Sequence, residues 1–349
     1  MKPVQIAGGG ISGFSAALNL AKNGIDSVVF EKQSTIGGAR NGDYEGLENW
    51  IFPTRFKLFQ EIGLDSFSLD SFPVTEFLVH CPPNDPINIS SREPFFSIVS
   101  RGAHSKSIDQ WLYRSCINNG VEIKLGETCN FEKADIIATG SRKAAAYIQG
   151  GSFKSDLSDQ VHLLLGDNFA PKGYAYIIIK RGKGTLATAY KKPKSGAKNY
   201  IEETTAYFQR AGISISLDDM FASRGSFQLP VRNPFSKQIY IGEAGGYQDC
   251  LFGFGMKVGM MSGWMAASYL AGNNQYAFEL NKMLREKLRF SYINRVIYER
   301  LNDSMKYALT LTLAKSDNPI QHLRSSYEWN WKRLLTFTSR RKPVEIHFT

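Results

Sequence analysis

The stretch VQIAGGGISGFSAALNLAKNGIDSVVFEK at residues 4–32 constrains this chain more than any other. An apolar run at 4–7, a glycine turn, a helical period over 11–23 and a second apolar run at 27–30 predict strand, turn, helix and strand. Gly8, Gly10 and Gly13 fit G-x-G-x-x-G. The three glycines serve separate ends, namely a turn with unusual φ, close approach of backbone to a pyrophosphate, and tight contact of helix with strand. The helix opening at Ile11 and Ser12 presents free N–H groups and a partial positive charge, a natural seat for phosphate. Glu31 stands 18 residues beyond Gly13, where the second strand closes into Lys32. A carboxylate there can accept hydrogen bonds from both hydroxyls of an adenosine ribose and would repel a 2′-phosphate, which argues against NADP.

A chain of 349 residues with 43% hydrophobic content can bury a sizeable core, in one large or two interlocked domains. No leader is expected ahead of a strand that begins so early. The most apolar long segment, 251–271, contains Lys257 and several glycines and serines and does not read as a membrane span. Cys81, Cys116, Cys129 and Cys250 are scattered without metal spacing, so no metal site and no disulfide framework is expected, and a reducing cytoplasm is the default. Of the net charge of +10, the region from Asn281 onward carries +8, from 14 Lys and Arg against 6 Asp and Glu. Helical periodicity runs over 282–307, and Trp329, Trp331, Phe337, Arg340, Arg341 and Lys342 follow. The plain reading is a solvated helix pair whose aromatics pack on the body. Anionic lipid is the second reading, giving a cytoplasmic protein that also touches the membrane surface, and nucleic acid is not expected.

Beyond Glu31, Gly37, Gly38 and Arg40 form a glycine turn with a cation that can pass beneath a pyrophosphate. Two β-rich stretches interrupt the nucleotide-binding pattern: 72–100, with strands at 77–80 and 87–89, and 146–232, with strands at 162–165, 174–180 and 185–190. Between them the α/β pattern returns, with a helix at 107–118, a strand at 121–125 and a strand at 134–138 that ends in Thr139-Gly140. The expected organisation is a discontinuous nucleotide domain (1–71, 100–145, 233–275), a substrate domain (72–99, 146–232) and a basic helical region (276–349). The fold class is α/β: a Rossmann-type domain with a β-rich insertion and C-terminal helices.

A second glycine-rich segment, IYIGEAGGYQDCLFGFGMKVGMMSGWMAASYLAG at 239–272, reads as strand, turn with Glu243, glycine loop and helix. Gly253 and Gly255 let backbone approach a flat ring, and the helix that begins near Met256 supplies another free N-terminus. A ligand long enough to reach both glycine segments is implied.

Together these segments resemble the FAD-dependent oxidoreductases of the para-hydroxybenzoate hydroxylase structural class, and within it the geranylgeranyl reductase family. The likeness rests on IAGGGISG with Glu31, on Arg101 followed by IDQWL, on ATG at 138–140, on PKGYAYIIIKRGKGTLATA at 171–189, and on GEAGGYQDCLFGFGMKVGMMSG. It implies FAD, with Gly8, Gly10 and Gly13 at the pyrophosphate, Glu31 at the ribose, Arg40 and Arg101 at the phosphate and ribityl region, and backbone near Cys129 at the adenine. It also implies Glu243 at the ribityl hydroxyls, where the family usually has Asp, and Gly253 and Gly255 against the flavin ring.

Three departures bear on the substrate. The family's Cys-Gly-Glu is Asn41-Gly42-Asp43 here; its Trp and Phe-Pro are Tyr176 and Ile178-Ile179; and the hydroxylases' Ala-Asp-Gly is replaced by Thr-Gly. No catalytic residue is identifiable. Glu48 and Asn49 could face the pocket or lie in a surface turn, and Cys250 reads as a buried spectator thiol. The expected reaction is reduction of carbon–carbon double bonds in an apolar, isoprenoid-type small molecule or lipid. A flavin monooxygenase or oxidase acting on a small hydrophobic or aromatic substrate is the alternative, and a non-enzymatic flavin-stabilised scaffold is a third reading. Without a second nucleotide fingerprint, electrons are expected from an external donor: NAD(P)H bound transiently, reduced flavin or a carrier protein.

Overall fold

The computed structural model describes residues 2–51, 53–65, 67–140, 144–191 and 199–328. The chain opens with β1 (Val4–Ala7), α1 (Ile11–Lys22) and β2 (Ser27–Glu31), then β3 (Tyr44–Glu48), α2 (Arg55–Glu61), β4 (Ser71–Val74), β5 (Glu76–His80), β6 (Ile87–Ser90) and β7 (Phe96–Ser100). Next come α3 (Ile108–Asn118), β8 (Glu122–Leu125), β9 (Ile136–Ile137), β10 (Ala146–Lys154), β11 (Gln160–Leu164), β12 (Tyr174–Lys180), β13 (Lys183–Tyr190), α4 (Tyr200–Arg210), β14 (Met220–Gly225) and β15 (Ile239–Tyr240). Four helices close it: α5 (Met256–Leu270), α6 (Asn274–Tyr298), α7 (Asp303–Ala314) and α8 (Pro319–Ser325).

The nucleotide pattern becomes a parallel five-stranded sheet of order β15-β9-β1-β2-β8. The β-rich insertions become a seven-stranded sheet, β14-β10-β13-β12-β11-β5-β6, and an antiparallel three-stranded one, β3-β7-β4. The segment 72–99 is thus divided: β5 and β6 extend the large sheet, while β4 and the start of β7 join β3. Side chains on β12 alternate as a strand requires. Ala175, Ile177 and Ile179 enter a core with Phe208 of α4, while Tyr176 and Ile178 face the small sheet through Tyr44, Val74 and Ile98.

α1 and α5 lie against each other at close range. A Cβ on Gly263 would stand 2.5 Å from the Ser12 carbonyl oxygen, and the Ser15 hydroxyl donates to the Met260 carbonyl at 2.7 Å. Small residues permit this approach, and it brings the N-termini of both helices to one side of the parallel sheet.

The C-terminal helices differ from the solvated pair expected. Ala277, Leu280, Leu284 and Leu288 of α6 are buried in the main core, as are Ile320, Leu323 and Tyr327. The single helical period read over 282–307 is two helices. The first ends at Tyr298, and Asn302 starts the second by accepting the Met305 N–H at 2.9 Å as the cap of α7. The aromatic and basic residues from Trp329 to Lys342 lie outside the described residues. No described helix is long and apolar enough to cross a membrane.

Candidate functional site

One continuous cavity of about 1220 Å³ runs from the end of β2, past the N-termini of α1 and α5, to a chamber between the large sheet, the small sheet and α6–α8. At its nucleotide end the three glycines do separate work. Gly8 has φ +110, and a Cβ there would lie 2.6 Å from the Ala138 carbonyl oxygen. On Gly13 a Cβ would be 2.0 Å from the Gly8 carbonyl oxygen, so only glycine lets α1 sit on the turn. A Cβ on Gly10, by contrast, meets nothing within 4 Å. That open space lies on the cavity wall beside Ile11 and Ser12, and no side chain caps the helix. It is the space a pyrophosphate needs.

Glu31 lies on the same wall with its carboxylate fixed: Oε2 accepts the Gly9 N–H at 2.8 Å and Oε1 the Gln33 N–H at 2.9 Å. Each oxygen keeps lone pairs for a ligand hydroxyl. Lys32, Cys129, Thr139, Gly140 and Glu243 also line the cavity, as do Gly253, Gly255 and Met256 at the second glycine loop. Gly255 caps α5 without a side-chain hydrogen bond, so this helix, too, opens on the cavity with its first N–H groups free of a side-chain cap. Gly13 is interior, and Gly38 is off the wall; its turn is fixed by Gly37, where a Cβ would stand 2.3 Å from the Gly102 carbonyl oxygen.

Arg40 and Arg101 reach the wall already paired. Arg40 bonds Asp43 and Glu45, while Arg101 holds Asp109 through two bonds of 2.9 Å and Glu45 at 2.8 Å. Burial by itself would raise the Glu45 pKa, but the two guanidiniums outweigh it and hold the carboxyl down at about 2. Each guanidinium is thus committed to two carboxylates, Arg40 to Asp43 and Glu45 and Arg101 to Asp109 and Glu45.

The far chamber is aromatic. Trp50 meets Phe254 edge-on at 5.0 Å and Phe252 at 5.6 Å, while Phe96 lies 6.1 Å from Phe254 and Phe77 5.0 Å from Phe95. Gly46 makes room for this packing, since a Cβ there would fall 2.5 Å from the Phe254 ring. The Tyr174 hydroxyl donates to the Phe252 carbonyl and ties the large sheet to the glycine loop. Burial, reinforced by Asp249, pushes that phenol well above its ordinary range, so it remains protonated. Leu301, Leu313 and Leu323 supply an aliphatic wall from α6 to α8.

Several supporting residues were not legible in the sequence. Asp249, within the glycine loop, is fully buried and accepts the Phe252 N–H at 3.0 Å, the Tyr327 hydroxyl at 3.1 Å and the Ser291 hydroxyl. It fastens the loop to α6 and to the turn after α8. Glu48 lies neither on the cavity wall nor in a surface turn: it pairs at 2.9 Å with Lys257, both side chains being 1% exposed. Asn49 is likewise turned away, donating to the Pro94 carbonyl at 3.2 Å. Cys250 is buried, and burial pushes its thiol well up, which leaves it inert. Among the described residues no group of three or more His, Cys, Asp and Glu side chains is arranged to hold a metal ion.

A geranylgeranyl bacteriochlorophyll reductase-like structure from Thermoplasma acidophilum aligns at TM-score 0.73 and 15% identity, over 96% of this chain and 98% of its own. The chain shares this flavoprotein fold. That fold also relates it to a flavoprotein/dehydrogenase from Cytophaga hutchinsonii (TM-score 0.63, 12% identity, 97% and 95% coverage). A flavin-dependent monooxygenase, PieE, solved with FAD and substrate, aligns at TM-score 0.61 and 13% identity, over 93% of this chain and 70% of its own. Residues 6–63 match the family described as an NAD(P)-binding Rossmann-like domain. One component of the Ferredoxin/F(420)H(2)-dependent CoB-CoM heterodisulfide reductase of Methanosarcina acetivorans is 49% identical over 51 residues. That match spans 15% of this chain and 6% of the reductase component.

Proposed function

We propose that this chain is an FAD-dependent oxidoreductase that reduces carbon–carbon double bonds of an apolar, isoprenoid-type substrate. The observation that carries this reading is the continuity of the cavity, which joins two uncapped helix N-termini to an aromatic and aliphatic chamber. The residues fit FAD: Gly10 leaves space for a pyrophosphate, Glu31 is held ready for ribose hydroxyls, and α5 directs free N–H groups toward the flavin ring. Glu243 lies 3.9 Å from the position a Gly140 Cβ would take, close to where the ribityl chain would pass. When bound, FAD supplies the two-electron redox chemistry. The chain's residues bind it, keep water away with Trp50, Phe96 and Phe254, and hold an apolar molecule between β12 and α7. Leu309 lines the cavity yet is 54% exposed, and Met305 beside it is 52% exposed, which supports passage of a lipid there. Electrons come from an external donor.

The test is anaerobic. Purified protein, yellow and releasing FAD on denaturation, is reduced with dithionite and mixed with a polyprenyl lipid. Reoxidation of the flavin with a product heavier by two hydrogens is the expected result. Reoxidation that requires oxygen would favour the monooxygenase or oxidase reading, and absence of flavin from folded protein would defeat both.

A further inference from the structure

The Glu48–Lys257 ion pair has no part in the function so far described. Lys257 is the second residue of α5, next to Met256 on the cavity wall. Its ammonium also donates to the carbonyls of Ile51 and Pro53, the latter at 2.8 Å, and Glu48 accepts the Ile51 N–H at 2.9 Å. The pair is therefore locked to the segment bearing Trp50. A cation in the first turn of a helix opposes the helix dipole, and burying two charges costs more than burying a methionine of similar length. The neighbours Val258, Met260 and Met261 on α5 are apolar and fully buried, so the ammonium depends on Glu48 and the two carbonyls. A buried pair of this kind is a poor source of net stability against well-packed apolar residues, which leaves room for a second role.

We propose that Glu48 and Lys257 are positioning residues that set the electrostatic potential behind the loop receiving the flavin ring, a role that rests on the FAD reading above. The Lys257 ammonium at the start of α5 adds to the positive helix end, and Glu48 both offsets it and favours its charged form, so the balance of the two biases the bound flavin toward or away from its negatively charged reduced form. Asp249 in the glycine loop and Arg324 on α8 are the other charges that act on the pair.

The midpoint potential of the bound flavin tests this, measured by spectroelectrochemical titration of whole protein. Glu48→Gln leaves the Lys257 nitrogen on its two carbonyl partners but removes the charge that opposes the lowering of its pKa by burial, so the titration is run at mildly acidic as well as neutral pH to keep the ammonium charged. This variant should raise the potential, read as reduced flavin binding more tightly relative to oxidised flavin by roughly threefold or more. The double variant Glu48→Gln with Lys257→Met is neutral again and should return to the wild-type value, which a purely structural role would not produce. Unchanged potential in Glu48→Gln, or a double variant that stays with it, overturns the proposal while leaving the FAD reading intact. Wild-type protein without flavin would instead remove the reading on which it rests.

Discussion

Gly263→Ala sets two physical effects against each other at one atom. In an ordinary helix interior the change gains about 0.5–1 kcal/mol, because alanine loses less backbone freedom on folding. Here the new Cβ would sit 2.5 Å from the Ser12 carbonyl oxygen, 2.7 Å from the Ala16 nitrogen and 3.0 Å from the Ser15 Cβ. Two of those atoms are backbone, so no rotamer change relieves them and α1 must move off α5. Overpacking of this kind costs roughly 1–3 kcal/mol or more, and the upper end applies where helices must separate. The net expectation is destabilisation by about 2 kcal/mol. Gly259→Ala is the internal control: one turn earlier on α5, its Cβ would meet only the Ser12 Cβ, at an ordinary 3.8 Å. That variant should be neutral or more stable by about 0.5–1 kcal/mol in the absence of ligand. Urea unfolding followed by circular dichroism decides. If Gly263→Ala equals or exceeds wild type in stability, the close α1–α5 contact is not as described, and the shared position of the two helix N-termini loses its support.

Glu31→Ala should weaken FAD binding by roughly 1.5–3 kcal/mol, the worth of hydrogen bonds to a charged acceptor; unchanged affinity by flavin fluorescence would remove Glu31 from the site. His80 and His162 share a 2.9 Å hydrogen bond, and burial lowers both pKa values from 6.5 to about 4, so the folded state holds them neutral while the unfolded chain takes up protons. Their contribution is complete above about pH 6.5 and is lost as pH falls toward 4, by roughly 3 kcal/mol per histidine. Urea midpoints from pH 7 to 4.5 should show it, and His162→Gln should flatten the slope; equal slopes would place the effect elsewhere. Tyr327→Phe removes a donor to buried Asp249 and should cost about 1 kcal/mol and loosen flavin retention, as dialysis against buffer would reveal. NADH or NADPH titrated against flavin fluorescence should show no dissociation constant below ~10 µM, about 7 kcal/mol of binding.

What could be read from the sequence was whatever depended on local spacing. Strands β1 and β12, the start of α1 and the need for glycine at Gly8 and Gly13 follow from periodicity and from backbone demands that only glycine meets. The pairing of Glu48 with Lys257 joins two distant parts of the chain and has no local signature; a lysine in an apolar helix was visible, but its partner was not. Asp249 lay in plain view inside the glycine loop, yet its bonds come from Ser291 and Tyr327, beyond the family-like region. Arg40 reads as a phosphate ligand because it is a cation in a glycine turn, and Arg101 because the family resemblance implies it. The carboxylates of Asp43, Glu45 and Asp109 that surround them are brought in by β3 and α3. The split of 72–99 between two sheets was hidden for the same reason, since strand pairing is set by partners distant in sequence.

The fastening of Asp249 by Tyr327, 78 residues further along, sets an order of assembly. The fingerprint precedes α6 and α8 in the chain, so it leaves the ribosome before them and can fold with its neighbours. The floor beneath the ring-binding loop stays unfinished until α6 and the turn after α8 have docked. A chain stalled short of residue 327 would own every glycine of both loops and still grip its ligand poorly. Cofactor retention in such stalled chains would thus report the docking of α6 and of the turn after α8.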